Sequence, residues 1–438
     1  MRAWLSLIPL LLISGAASAE TVVLQNFTLI DGTGKSAVPN AAMVVTDGRI
    51  RYAGPKAKLP AQPQGATTLD LTGKYVMPGI INLHGHLGNV KGLVQDPVNY
   101  TPENLDANLK TYAQYGVTTV VSMGSDQDLL LQRRAEQRAT GRPKTTRIYT
   151  AYRGFTGIAG YPTSAPGMKG VPFEVATKAE VVKDVAILAD KKVDLVKIWV
   201  DDHFGKERKI PLDLSADIIA EAHKHGLKVG AHIFYYDDAK NLVDRGLNAL
   251  LHSVRDKDVD DAFIASMKKN NAWMAAATFT RELSAFAYAK PPEWLKDTFF
   301  SRSVTPDVIK TLSTPGQKAV ASDPRFETGL QVAKRNLKRL VDAGVKYGFG
   351  TDTGPPGRFP GYFEHVEMQM MAEAGLTPSQ IIQAASKNSA EFLGASKDLG
   401  TLEAGKWADL IVLGRNPLDD IRNTRSIETV MIAGQKVN

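Results

Sequence analysis

Residues 21–30, TVVLQNFTLI, alternate in polarity and are largely β-branched, which predicts a half-buried strand. Asp31-Gly32 turns the chain. Residues 42–45, 50–53 and 67–71 repeat the strand pattern, and Asp47-Gly48 is a two-residue hairpin signal. From Tyr75 the texture changes: apolar runs of strand length alternate with stretches of helical period. Eight such runs occur, near residues 76–84, 117–122, 146–152, 195–200, 228–233, 249–252, 272–277 and 347–351. Helical patterns fill the gaps, as at 179–189, at 215–225 closed by Gly226, and at 331–343 closed by Gly344. After Leu393 strand patterns return at Leu402, 408–413 and 428–433.

Strands that alternate with helices build a parallel sheet, and eight repeats are what a (β/α)8 TIM barrel requires. The expected architecture is α/β: a barrel over residues 75–393, with a small β-sandwich made from 20–74 and 394–438. An open, doubly wound sheet is the competing architecture, but no glycine-rich dinucleotide fingerprint follows any strand. Two connections are long, 153–175 and 281–327. Both follow strands and so belong on the C-terminal face of a barrel, where active sites are built. The second carries Phe286, Tyr288, Trp294, Phe299 and Phe300, which either pack the loop down or wall an apolar pocket; the expectation is a wall and a preference for bulky apolar substrates.

Composition narrows the picture. Residues 1–19 have Arg2, then an apolar core, then Ala17-Ser18-Ala19, the layout of a secretory leader cut after Ala19, so a secreted or periplasmic protein is expected. No later stretch reaches the roughly 18 apolar residues of a membrane span. Hydrophobic residues make up 43% of the 438, enough for a large core without staples. With no cysteine, any metal must be held by nitrogen and oxygen. The formal net charge is +7, but Lys and Arg are interspersed with acids. That argues against nucleic acid as a partner and for a small-molecule substrate. Assembly as a homo-oligomer is compatible with the chain. It has no heptads, short repeats or low-complexity tracts.

The candidate chemistry lies at the strand ends. His84 and His86 are two apart in PGIINLHGHLG, so a strand would project both to one side. Lys197 sits inside the apolar run DLVKIWV. A buried ammonium is costly unless its charge is neutralised or changed. Reaction with CO2 to an anionic carbamate would achieve that; an ion pair with Asp201 or Asp202 is the alternative. His232, His252 and Asp352 end three further strands. Arg153 and Tyr235 follow strands three and five and either bind a substrate carboxylate or pack their own loops. His365, after strand eight, is a supporting or substrate-binding candidate, and His203 is either ligand or loop. His223 and His225 sit at a helix C-terminus, which favours positive charge.

The segments PGIINLHGHLG, DLVKIWV, VGAHI, LLHS, GTDTG and LGTLEAGKWADLIVLGRNPLDDI together resemble the amidohydrolase superfamily, in particular imidazolonepropionase-like and prolidase-like metal hydrolases. The resemblance runs from about Thr21 to the C-terminus. It implies two divalent metal ions, zinc in the first instance. His84, His86, Lys197 and Asp352 would hold the first, and N6-carboxylated Lys197 would bridge to a second on His232 and His252. A hydroxide shared by the two would attack a carbonyl, with Asp352 as acid and base. Imidazolonepropionases proper lack the lysine and use one metal. The dipeptidases carry a histidine after strand three, where this chain reads GFTGIAGYPT, and a tyrosine where it has Phe234. Both departures weigh against prolidase activity. The expectation is a hydrolase of an amide-type C–N bond, in an N-acyl amino acid, a dipeptide or a cyclic amide. The alternatives are an ester or lactone hydrolase on the same site and a non-catalytic metal-binding periplasmic binding protein.

Overall fold

The computed structural model describes residues 20–62, 64–314 and 323–437. The expected leader, 1–19, lies outside the described residues.

The two chain ends meet in one eight-stranded sheet. Its path runs Gln435–Lys436, Ile427–Ile432, Leu410–Leu413, Tyr75–Pro78, Thr21–Leu29, Val38–Thr46 and Arg49–Pro55, with Thr67–Asp70 also paired to Thr21–Leu29. The hairpin at Asp47-Gly48 forms as its residues predict: both have positive φ, 51° and 77°, the pair a type I′ turn needs. Inward positions of the alternating strands, Leu24, Phe27, Met43, Val45, Val76, Leu410 and Val412, make a separate apolar core. From Tyr75–Pro78 the chain passes straight into Ile80–Gly85. A side chain at Gly79 would collide with Thr118, so the joint needs a residue without Cβ.

Seven parallel strands carry the site. Ile80–Gly85 pairs with Val117–Ser122, which pairs with Arg147–Thr150. Val196–Val200, Val229–Ile233, Ala249–Leu250 and Trp273–Met274 form a second parallel series. The amide of Asp194 donates to the Thr150 carbonyl and Phe155 bridges to Ile198, joining the two series. The predicted eighth strand is an irregular segment. It bridges Met274 at Tyr347 and Gly85 at Thr353, and the amide of Leu83 donates to the Phe349 carbonyl (2.8 Å). Glycines explain the departure from regular pairing: a Cβ at Gly350 would meet Ala276 at 2.6 Å and the His84 backbone at 2.9 Å, closer than strands with side chains can approach. Helices between the strands follow their predicted periods. Lys178–Asp190 starts on a Thr177–Glu180 capping box, and Leu212–Lys224 and Arg325–Asp342 are followed by Gly226 and Gly344 at positive φ.

The stretch after the seventh strand is not an open loop. It contains the helices Phe279–Ala287 and Pro306–Ser313 and two single turns, Glu293–Lys296 and Phe300–Arg302. Its aromatic residues turn inward. Phe299 packs edge-on against Tyr115 at 4.8 Å, Phe300 against Phe359 at 4.9 Å and Trp294 against Phe363 at 5.8 Å, while Tyr288 contacts Trp294. Phe286 is partly buried against the same core. None of the five lines the central cavity, so the expected aromatic wall is instead the clamp that fastens this segment to the helix Tyr362–Glu373.

At the C-terminal ends of the second and third strands, buried Asp126 accepts hydrogen bonds from Ser122 Oγ (2.5 Å) and Thr150 Oγ. Burial outweighs those bonds and raises its carboxyl to about 7. A carboxyl raised on folding keeps its proton in the native state while the unfolded chain loses it. Its contribution to stability is therefore fully present below about pH 4 and declines as pH rises toward 7. Asp126→Asn removes that loss. The melting temperature of the variant minus that of the parent is expected to grow between pH 5 and pH 8; a difference independent of pH would show that Asp126 is already ionised in the native state.

Candidate active site

Strand alternation sets the inner face of Val196–Val200 and its extension. Lys197, Trp199 and Asp201 lie two apart and all are buried. Lys197 is wholly enclosed, with its Nζ 3.3 Å from His84 Nε2 and 5.5 Å from the Trp199 ring. Gly124 and Gly154 flank its stem; a Cβ on either would come within 3.0 Å of Lys197 Cγ. Lys197 makes no ion pair among the described residues. Asp201 is committed to His232 (2.8 Å), and Asp202 to Tyr235 and Lys209, so the alternative of a lysine–aspartate pair is absent. Burial lowers the Lys197 amine to about 7, against partial opposition from Asp352.

Four imidazoles surround this lysine. Ring centroids are 5.5 Å apart for His84 and His86, 4.9 Å for His84 and His252 and 4.0 Å for His232 and His252. Burial lowers all four imidazoles, neighbouring cations reinforce it against Asp352 and Asp201, and burial above all takes His232 to about 3. Their partners orient the lone pairs. His84 Nδ1 donates to the Leu251 carbonyl (2.9 Å), so Nε2 faces the centre unprotonated. Thr278 Oγ donates to the Ala277 carbonyl and therefore accepts from His252 Nδ1 at 2.6 Å. His252 Nε2 is then a buried lone pair with no partner among the described residues. Asp201 Oδ2 accepts a hydrogen bond from His232 Nε2 (2.8 Å), which leaves Nδ1 for a ligand. His86 Nδ1 meets Ser125 Oγ at 2.8 Å.

Asp352 closes the cluster. Its Oδ1 is 2.9 Å from His86 Nε2 and 3.6 Å from His84 Nε2, and Oδ2 accepts from Arg358 at 2.5 Å. Burial alone would raise its carboxyl, but Arg358 and the two histidines hold it well below the usual range. Its backbone is left-handed, φ 59°, held by its amide donating to the His84 carbonyl (2.7 Å); such strain is tolerated where a side chain must be aimed. The ligand atoms of His84, His86 and Asp352 lie within 4.8 Å of one another, a group that could hold a metal ion.

A cavity of about 800 Å³ opens over this cluster. His84, His86, His232 and Asp352 form its floor together with Trp199. Its walls come from Val90–Gln95, from Tyr161–Met168 in the long connection after strand three, and from Arg281, Phe326 and Arg358. His203, left open between ligand and loop, belongs to the wall: its ring packs on Tyr161 at 4.0 Å, and its Nε2 is buried without a partner among the described residues.

Three expected substrate residues lie outside the cavity lining. Arg153 is spent on its own loop, donating to the carbonyls of Val171 (2.5 Å), Gly170 (2.6 Å) and Pro172, with its guanidinium over Phe173. Tyr235 donates to Asp202. His365 is buried on the far side of its helix, one nitrogen on Thr424 Oγ and the other on the Tyr115 carbonyl, each at 2.9 Å. The two-residue spacing from Lys197 could have revealed Trp199 and Asp201. Tyr161 and Arg358 come from irregular segments and Arg281 from the first turn of the short helix Phe279–Ala287, and no periodicity marks them.

The chain also resembles known proteins along nearly its whole length. It is 24% identical to the imidazolonepropionase of Agrobacterium fabrum, over 87% of this chain and 86% of that protein. It is also 24% identical to the ochratoxinase of Aspergillus niger, over 94% and 85% respectively. The crystal structure of an Xaa-Pro dipeptidase with methionine bound in its active site has the same fold, with a TM-score of 0.73 at 19% identity over 95% of this chain and 99% of that one. The amidohydrolase family profile matches residues 75–437, strand ends and closing sheet together, and the chain belongs to that family.

Proposed function

We propose that this protein is a two-metal amidohydrolase that cleaves an amide-type C–N bond. In this reading the parallel strands form a (β/α)8 barrel over 75–393. The shared terminal sheet is a β-sandwich of 20–74 and 394–438, and the protein is exported after loss of 1–19. The observation that carries the proposal is the pairing of two misfits. Among the described residues Lys197 is buried without an ion pair, and beside it His252 Nε2 is buried with no partner. Each is expensive alone. A carboxylated Lys197 between two cations would relieve both.

The donor set fits such an occupant. It is all nitrogen and oxygen, each imidazole is neutral, and each has a nitrogen anchored by a protein acceptor or hydroxyl, the arrangement that fixes ligand direction. His84, His86, Asp352 and Lys197 would hold one ion, and Lys197, His232 and His252 the other, zinc being the first choice. When bound, the ions supply an activated water near neutral pH and polarise the scissile carbonyl. Asp352 takes the proton from the attacking water and returns it to the leaving nitrogen. Arg358, on the other carboxylate oxygen, holds Asp352 in place and ionised at the start of the cycle. Trp199 and the Tyr161–Met168 wall shelter the carbonyl from bulk water.

The relatives are named for an imidazolonepropionase, an ochratoxinase and an Xaa-Pro dipeptidase, so they support the reaction class more than one substrate. The test is benzoate release from N-benzoyl amino acids by protein loaded with zinc and bicarbonate, with benzoate esters alongside. Amide turnover that is lost on chelation and restored by zinc is expected. Turnover of the esters alone would move the assignment to an esterase, and no turnover of either class would reject the hydrolase.

A further inference from the structure

The cavity wall contains a cation with unused donors. Arg281 follows the seventh strand and is only 3% exposed, yet it lines the cavity. Among the described residues its guanidinium makes one hydrogen bond, from Nη1 to Glu282 Oε1 (3.0 Å), and its Nε is buried without a partner. Glu282 Oε1 is also the acceptor for Arg255, so two buried guanidiniums share one carboxylate oxygen. Asp201 lies near enough to act on both, but its oxygens already accept from His232 and from the His203 amide (2.9 Å). The other arginines of the cavity are engaged, Arg358 by Asp352 and Arg325 by Asp323. Arg281 therefore presents a planar fork that the protein leaves partly empty. Its guanidinium carbon is 4.8 Å from the Phe326 ring, which restricts where the fork can point. A guanidinium fork matches a carboxylate in shape as well as charge.

Resting on the hydrolase reading above, we propose that Arg281 binds a carboxylate of the substrate and so selects anionic amides over neutral ones. The apolar part of the substrate then lies along Trp199, Phe204 and Phe326. This subsite replaces the roles assigned from sequence to Arg153 and Tyr235.

The experiment compares each acid with its carboxamide: N-benzoyl-L-leucine with N-benzoyl-L-leucinamide for a carboxylate on the amine side, and succinanilic acid with its carboxamide for one on the acyl side. The acid is expected to exceed the carboxamide in kcat/KM by about ten- to a hundredfold in one pair, the worth of a charged hydrogen bond. Arg281→Met should abolish the preference with metal content unchanged. Arg281→Lys keeps the charge without the fork and should retain only part of it, and it carries the test if the methionine variant does not fold. Equal kcat/KM for acid and carboxamide in both pairs, or an unchanged preference in the variants, overturns the proposal. Calorimetric titration of the zinc-loaded protein with N-benzoyl-L-leucine separates the two claims. Binding that depends on Arg281 without turnover rejects the hydrolase and keeps the subsite; turnover without preference does the reverse; neither binding nor turnover rejects both.

Discussion

Replacing Asp352 by asparagine is expected to lower kcat by about a hundredfold or more, the usual worth of a general acid–base group. The substitution suits the position. Asp352 has φ 59°, and asparagine is among the few residues that accept left-handed backbone readily. The backbone bond to His84 and an oxygen facing the histidines survive; the proton acceptor does not. Metal content should fall much less than turnover, because the histidines and Lys197 remain. Arg358 loses its anion, but its side chain is 19% exposed and can turn toward water. Elemental analysis beside steady-state kinetics decides the matter. Near-normal kcat would remove Asp352 from proton transfer. His365 could not take the role over, since both its nitrogens are held by Thr424 and Tyr115 away from the cavity.

How far the sequence could be read depended on periodicity. His84 and His86 were legible because a period of two puts both on one side of a strand, and the structure brings their ligand atoms together with that of Asp352. Lys197 stood out because a charge inside DLVKIWV breaks an apolar run, and it is indeed fully buried. Seven strands appeared within a few residues of their expected places. The eighth resisted because Gly348, Gly350 and Gly354 let it approach its neighbours too closely for regular pairing. Residues outside the repeating elements were less legible. Arg153 could as well fold back on its own carbonyls as reach a ligand, and composition does not tell the two apart. The five aromatics after strand seven posed the same choice between packing and walling. Packing won because that segment forms helices and turns of its own and needs an apolar side to hold them down. The cavity instead uses residues with weaker signals, Arg281 and Tyr161 among them.

Lys197→Ala is the variant expected to change the centre itself. In the parent, protein prepared with bicarbonate should carry about two divalent ions per chain; in the variant the count should fall to about one or less, and amide turnover with it. The reason lies in the geometry of the donors. His84, His86 and Asp352 are a self-sufficient group, whereas His232 and His252 offer only two nitrogens and need an anionic oxygen from between the sites. Lys197 is the side chain buried beside His84 that could supply one, and burial lowers its amine to about 7, which leaves a neutral fraction free to take up CO2. Removing the chain also leaves a space bracketed by Gly124 and Gly154, where a small carboxylate such as acetate could lodge and restore part of the second ion. Lys197→Glu places an anionic oxygen in the same direction but nearer the strand, and should recover less than the parent and more than Lys197→Ala. Isotope-labelled bicarbonate should give a carbamate carbon signal in the parent that is missing from both variants. If the parent binds about one ion, shows no carbamate and loses none on Lys197→Ala, the lysine is a neutral buried amine and the centre is built on His84, His86 and Asp352 alone.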